Sequence, residues 1–147
     1  MGLYFEDFEP GRPVITRGRT VGEGDITQFA GLSGDFNPLH VDEEFCRDTP
    51  YKGRIAHGPL TLSIAIGLMS QQNLIDGTTT GLLGMTWKFM APVMIGDTIH
   101  SSITLVDKRL TKDAQRGIVT VRLDVLNQRA TLVCSGDMTL MMKRRPQ

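Results

Sequence analysis

The chain has 147 residues, the usual length of one domain and enough to bury a sizeable core. Sixteen basic residues cancel sixteen acidic ones, which excludes a global field that would draw nucleic acid or an anionic membrane surface. The apolar content of 40% excludes a disordered chain, and residues 1–147 read as a single domain.

The opening stretch MGLYFEDFEPG carries acids where a secretory leader needs basic residues ahead of an apolar run. Glu6 also stands where a myristoylation signal has Ser or Thr. Cytoplasmic location is the expectation, and Cys46 and Cys134, far apart and outside any CxxC pair, read as free buried thiols. Val14 to Val21 mixes β-branched residues with Arg, as a first strand or an extended arm would. A short helix is predicted from Asp25, with Gln28 at the capping-box position and Ile26, Phe29 and Ala30 as its apolar stripe. Gly31 and Gly34 are its stop signals. A second helix is predicted near Asp42, with Glu43 and Glu44 in its first turn and Arg47 in its last. The octapeptide SGDFNPLH, residues 33–40, is the joint between them.

Beyond Thr49-Pro50 a long helix is predicted over Gly58 to Leu74, roughly 25 Å at ~1.5 Å per residue. Pro59, Thr61, Ser63, Gly67, Ser70, Gln71, Gln72 and Asn73 make it too polar to cross a membrane. Its apolar residues cover nearly every face, so it has to be surrounded. The remainder alternates with period two. Leu83, Met85, Trp87 and Phe89 share one face, as do Ile99, Ser101, Ile103 and Leu105. Val119, Val121, Leu123 and Val125 form a third such set, and Leu132, Cys134, Met138 and Leu140 a fourth. Turn signals at Pro92 with Gly96-Asp97, at Asp113 to Gly117 and at Asn127 to Arg129 separate these strands. The economical packing is α+β, a curved antiparallel sheet wrapped around one long central helix.

The joint carries the chemistry. Asn37 precedes proline, which pushes it to extended backbone, and Pro38 suits the first central position of a tight turn. A reversal there brings Asp35 and His40 into one volume, where they can do general acid–base work. The residues alone read equally well as a helix-end cap and a residue before a helix start. His57-Gly58-Pro59 opens the long helix, whose N-terminal N–H groups suit a developing oxyanion. Pro59 has no N–H, so Gly58 or Leu60 would donate. His57 reads as structural on generic grounds, and Ser63 as an alcohol bonded to the carbonyl four residues back. His100 and the tail Lys143, Arg144 and Arg145 read as solvated. The three histidines lack metal-ligand spacing, and P-loop, dinucleotide and G-x-S-x-G signatures are missing from the sequence.

SGDFNPLHVD, followed by RIAHGPLTLSIAIGL and FMAPVMIGDTI, resembles the MaoC-like dehydratases, the (R)-specific enoyl-CoA hydratase group of the hotdog-fold superfamily. The resemblance spans the chain from the helix at Asp25 to the final strand. It implies that Asp35 and His40 are a catalytic dyad, with Ser63, Gly58 and Asn37 as supporting or oxyanion residues. Pro59 departs from the relatives, which often have a flexible apolar residue there. The implied reaction is reversible addition of water to a trans-2-enoyl-CoA, giving an (R)-3-hydroxyacyl-CoA. The CoA thioester is substrate, and neither a metal nor another cofactor is expected. The resemblance also implies a homodimer, since a short open sheet leaves an edge strand that invites a second chain. A hotdog acyl-CoA thioesterase and a non-catalytic acyl-thioester-binding module are the alternatives.

Overall fold

The computed structural model describes residues 1–11 and 13–146. Four long strands build the sheet: β3 (Thr79–Phe89), β4 (Thr98–Leu110), β5 (Arg116–Asn127) and β6 (Leu132–Lys143). The arm at 14–21 contributes two short strands, β1 (Val14–Ile15) and β2 (Arg19–Thr20), both paired with β4. The sheet runs β1-β4-β5-β6-β3, antiparallel at every pairing. One face receives the helix α4 (Gly58–Ser70), and the α+β hotdog arrangement expected from the sequence results.

The core explains the pairing. Val119, Val121, Leu123 and Val125 of β5 are buried, as are Ile99, Ser101 and Ile103 of β4. They meet Leu60, Ile64, Ala65, Leu68 and Met69 of α4, with Met138, Leu140 and Met142 of β6 alongside. Cys134 lies in the same core, and burial pushes its thiol up to about 12, with the Asp124 carboxylate adding to the effect. It is an inert packing group.

Two expectations about the strands and two about the helices need correction. Leu132 does not share the face of Cys134. A bulge inserts Val133 opposite the β5 strand, so Leu132 pairs with Leu126 and turns outward. Leu83 is likewise the extra residue of a bulge in β3, which leaves Met85, Trp87 and Phe89 opposite the buried Met138, Gly136 and Cys134. The first helix, α1 (Glu23–Ser33), starts two residues early, because the Asp25 carboxylate reaches back to accept from the Gly22 N–H at 2.9 Å. It stops where expected, on Gly34 in the left-handed region at φ 77°. The central helix ends at Ser70, not Leu74; Asn73 at φ 55° takes the chain into a turn.

The tail also differs from expectation. Arg144 bonds Glu6 at 3.0 Å and Arg145 bonds Asp7, so the basic C-terminal residues latch onto the acidic 3-10 turn Phe5–Asp7. Among the described residues, no helix is long and apolar enough to cross a membrane.

Candidate active site

The joint folds more tightly than the sequence suggested. Between α1 and α3 (Glu43–Arg47) a single extra turn, α2 (Pro38–Val41), carries His40 inside it. Asn37 caps that turn: its Oδ1 accepts from the Leu39 N–H at 3.1 Å, and Pro38 occupies the first helical position. Asp42 caps α3 through the Phe45 N–H, at the place where the sequence predicted a helix start. Cys46 lies fully buried below, its Sγ donating to the Pro38 and Leu39 carbonyls at 3.4 Å each. Arg54 fastens this layer by bonding Glu43 and Glu23 at 2.7 Å each, tying α3 to α1.

Asp35 and His40 meet. Asp35 Oδ2 lies 3.9 Å from His40 Nε2, beyond direct hydrogen bonding but close enough for one water oxygen to bond both. The surroundings of the two are unlike. The His40 side chain is 11% exposed, whereas that of Asp35 is 51% exposed. His40 Nδ1 sits 2.8 Å from the Ile55 carbonyl oxygen. A carbonyl only accepts, so Nδ1 carries the proton and a neutral ring leaves its Nε2 lone pair free, facing the carboxylate. The backbone thus sets the tautomer a general base requires.

Gly58 is the first residue of α4, and no described residue accepts from its N–H. A Cβ at this position would meet the Phe89 ring at 3.2 Å, so the ring lies close over the glycine and would have to give slightly for a larger residue. Gly58 also lines a pocket of about 250 Å³ with Tyr51, Thr61, Phe89 and Val93, and with Ile55, whose carbonyl holds His40. Ser63 lies on the exposed side of α4, its Oγ donating to the Pro59 carbonyl at 2.8 Å. That is the back-bonded arrangement generic for a helical serine, and no hydrogen bond links it to Asp35 or His40.

His57 is the residue that sequence reasoning undervalued. It is 1% exposed, and its ring stacks on His40 with centroids 3.7 Å apart and planes at 25°. Its Nε2 lies 3.0 Å from the Asp35 carbonyl oxygen. Asp35, His40 and His57 therefore bring ligand-type atoms within 4.8 Å of one another, which chain spacing did not anticipate. A shared ion does not fit. Each imidazole presents its lone pair in the ring plane, and two stacked rings cannot both aim at one ion at ~2.0–2.1 Å. The arrangement suits proton transfer instead.

Comparison with known proteins agrees with the motif. The MaoC like domain family matches residues 7–127, which include the dyad turn and the N-terminus of α4. An (R)-specific enoyl-CoA hydratase of Rhodospirillum rubrum is 38% identical over 102 residues, covering 69% of each chain. The crystal structure of a monoamine oxidase regulatory protein from Archaeoglobus fulgidus superposes with a TM-score of 0.91 at 38% identity, over 99% of this chain and 97% of that one. A MaoC-like dehydratase from Rhodospirillum rubrum follows at 0.86 and 30%, over 99% and 100%. Most of the chain aligns with these proteins, and the chain belongs to the MaoC-like domain family.

Proposed function

We propose that the protein is an (R)-specific enoyl-CoA hydratase, adding water reversibly to a trans-2-enoyl-CoA through Asp35 and His40. The observation that carries this reading is the His40 ring, whose Nδ1–H is committed to the Ile55 carbonyl while Nε2 faces Asp35 Oδ2 across a water-sized gap. In the hydration direction, His40 Nε2 takes a proton from the water held between the two groups. The water oxygen then bonds Cβ, and the alkene electron pair moves toward the thioester carbonyl. The Gly58 N–H, unspent at the α4 N-terminus, stabilises the enolate oxygen. The proton held by His40 is returned to Cα with Asp35 assisting its delivery, so H and OH add and the dyad recovers its starting state. Asn37 supports the dyad by capping its turn, and Ser63 orients substrate without transferring a proton. The apolar pocket beside Gly58 receives part of the acyl chain.

A homodimer belongs to the same proposal. Leu82, Leu83, Met85 and Phe89 of β3 are each about half exposed, and Pro59, Ser63 and Ser70 form an uncovered stripe on α4. A second copy against β3 would shield both and wall the acyl-pantetheine channel.

The test incubates purified protein with a panel of enoyl-CoAs and follows loss of the conjugated thioester absorbance, with free CoA assayed in parallel. Hydration consumes absorbance without releasing CoA, whereas a thioesterase releases it and a non-catalytic module does neither. Chiral chromatography of the product should give the (R) alcohol. Asp35→Asn and His40→Ala are each expected to lower turnover at least ~10²-fold, and the double variant to lose far less than the product of the two. Ser63→Ala should lose less than either. Near-wild-type turnover in a folded Asp35→Asn or His40→Ala variant would remove the dyad from the mechanism.

A further inference from the structure

We infer that His57 is a positioning residue of this reaction, holding Asp35 and His40 in register through one hydrogen bond and one ring stack. The inference rests on the hydratase reading above.

The dyad turn is poorly secured by its own bonds. Residues 34–37 are exposed, and their hydrogen bonds within the segment and to its flanks are short-range. Phe36 N bonds the Gly34 carbonyl, Asn37 N bonds Asp35 Oδ1, and Asp35 N bonds Ser33 Oγ, each at 3.2 Å. Such bonds shape a turn without fixing where it sits. Among the described residues, the single hydrogen bond from this turn to a distant part of the chain is that from His57 Nε2–H to the Asp35 carbonyl, 22 residues away in sequence.

Both partners are gripped from one short segment. Ile55 N donates to the Leu39 carbonyl at 3.1 Å, and the Ile55 carbonyl accepts from His40 Nδ1. Two residues on, His57 holds Asp35 and underlies His40. Ile55 acts through its backbone and His57 through its ring, and the two grips come from residues only two apart in the chain. The segment is itself anchored by the Ala56 N–H on the Val93 carbonyl at 2.8 Å and by an antiparallel bridge from Ile55 to Met94. The separation of Asp35 from His40 is thereby referred to the connection between β3 and β4 and to the start of α4.

Packing alone does not call for an imidazole at position 57. With Nε2–H committed to a carbonyl, Nδ1 is an acceptor, and it is buried without a partner among the described residues. An unsatisfied buried polar atom is destabilising, because it gives up water without gaining a partner. A phenyl ring would fill the space, stack on His40 and pack against the tilted Phe29 ring without that cost. What phenyl lacks is the N–H that holds Asp35.

The experiment compares His57→Phe, which keeps the stacking ring, with His57→Gln, whose Nε2 can reach the same carbonyl. Wild-type turnover of an enoyl-CoA is established first; its absence overturns the hydratase reading and this inference with it, whereas turnover in wild type makes the variants a test of His57 alone. With it, His57→Phe should lower kcat about 10-fold while KM changes less than about 2-fold and the melting temperature holds or rises. His57→Gln should recover part of the loss. In an Asp35→Asn background His57→Phe should cost almost nothing further, because it acts through Asp35. Unchanged kcat in His57→Phe overturns the inference, as does a loss fully additive with Asp35→Asn. Should His57→Phe fail to fold, His57→Gln alone enters the cycle with the same two overturning outcomes.

Discussion

The two edges of the sheet are finished in opposite ways. β4 is covered by the chain itself: β1 and β2 pair along it, and Thr16 binds Ser101 twice, its N–H donating to the Ser101 carbonyl and its Oγ1 accepting from the Ser101 N–H, each at 2.9 Å. Among the described residues, β3 pairs with β6 on one side and is bare on the other along 11 residues, with Leu82, Leu83, Met85 and Phe89 open to solvent. A long apolar edge is a template for another strand, and chains that do not use one blunt it with charge, proline or a covering segment. Here one edge has such a cover and the other does not. The bare edge also reaches the candidate site, because Phe89 packs against Gly58. Assembly and chemistry would therefore share a boundary.

The largest effect should come from lifting β3 off β6. Gly136 lies under β3, and an added Cβ would fall 2.4 Å from the Thr86 carbonyl oxygen and 2.4 Å from the Trp87 ring. Neither backbone nor a packed indole can yield that distance. Gly136→Val should destabilise by about 3 kcal/mol or more, measured by urea unfolding. Gly11→Ala, with open space around it, should stay within ~0.5 kcal/mol. Equal losses would mean that the tight approach at Gly136 is not what holds the edge.

A milder intervention separates pairing from folding. Leu83→Lys with Met85→Lys places two charges on the bare edge, where they oppose strand addition. Sedimentation should show the variant at one chain mass, with turnover per chain at least about 10-fold lower if the second copy walls the channel. Val14→Lys, on the covered edge, should leave mass and turnover as in wild type. A dimer that survives the β3 charges would have to pair elsewhere.

How much of this was legible in the sequence follows from the range of the forces. Period-two burial in β4 and β5 and the stop at Gly34 are local properties, and they were readable. The outward turn of Leu132 was not, because a bulge is set by the partner strand and leaves no mark on the alternation. Asp35 and His40 were legible as a pair since five residues and a proline bring them round. The grip on them was not, because it comes from the Ile55 carbonyl, a backbone group every residue has, and from His57, which only the fold brings near. The latch of Arg144 and Arg145 on Glu6 and Asp7 was hidden for the same reason.

The smallest effect concerns how the covered edge is held, and pH separates its causes. Asp97 precedes β4 and is 4% exposed. Its backbone carbonyl accepts from the Val21 N–H at 2.8 Å, where the N-terminal arm meets the sheet. Burial alone would raise its carboxyl. Hydrogen bonds from Gln128 at 2.7 Å, the Met94 N–H at 2.9 Å and Arg129 at 3.2 Å outweigh burial and hold it below the ordinary carboxylate value. A carboxylate whose folded value is depressed stabilises the fold above its unfolded value, ~3.9 for Asp, and that contribution fades as pH falls toward the folded one. Asp97→Asn should therefore cost about 1–2 kcal/mol at pH 7 and at pH 5, and distinctly less at pH 3. Urea unfolding of both proteins at the three pH values measures the difference directly. A cost that stays constant down to pH 3 would assign it to packing, and the covered edge would then owe its hold to β1 and β2 alone.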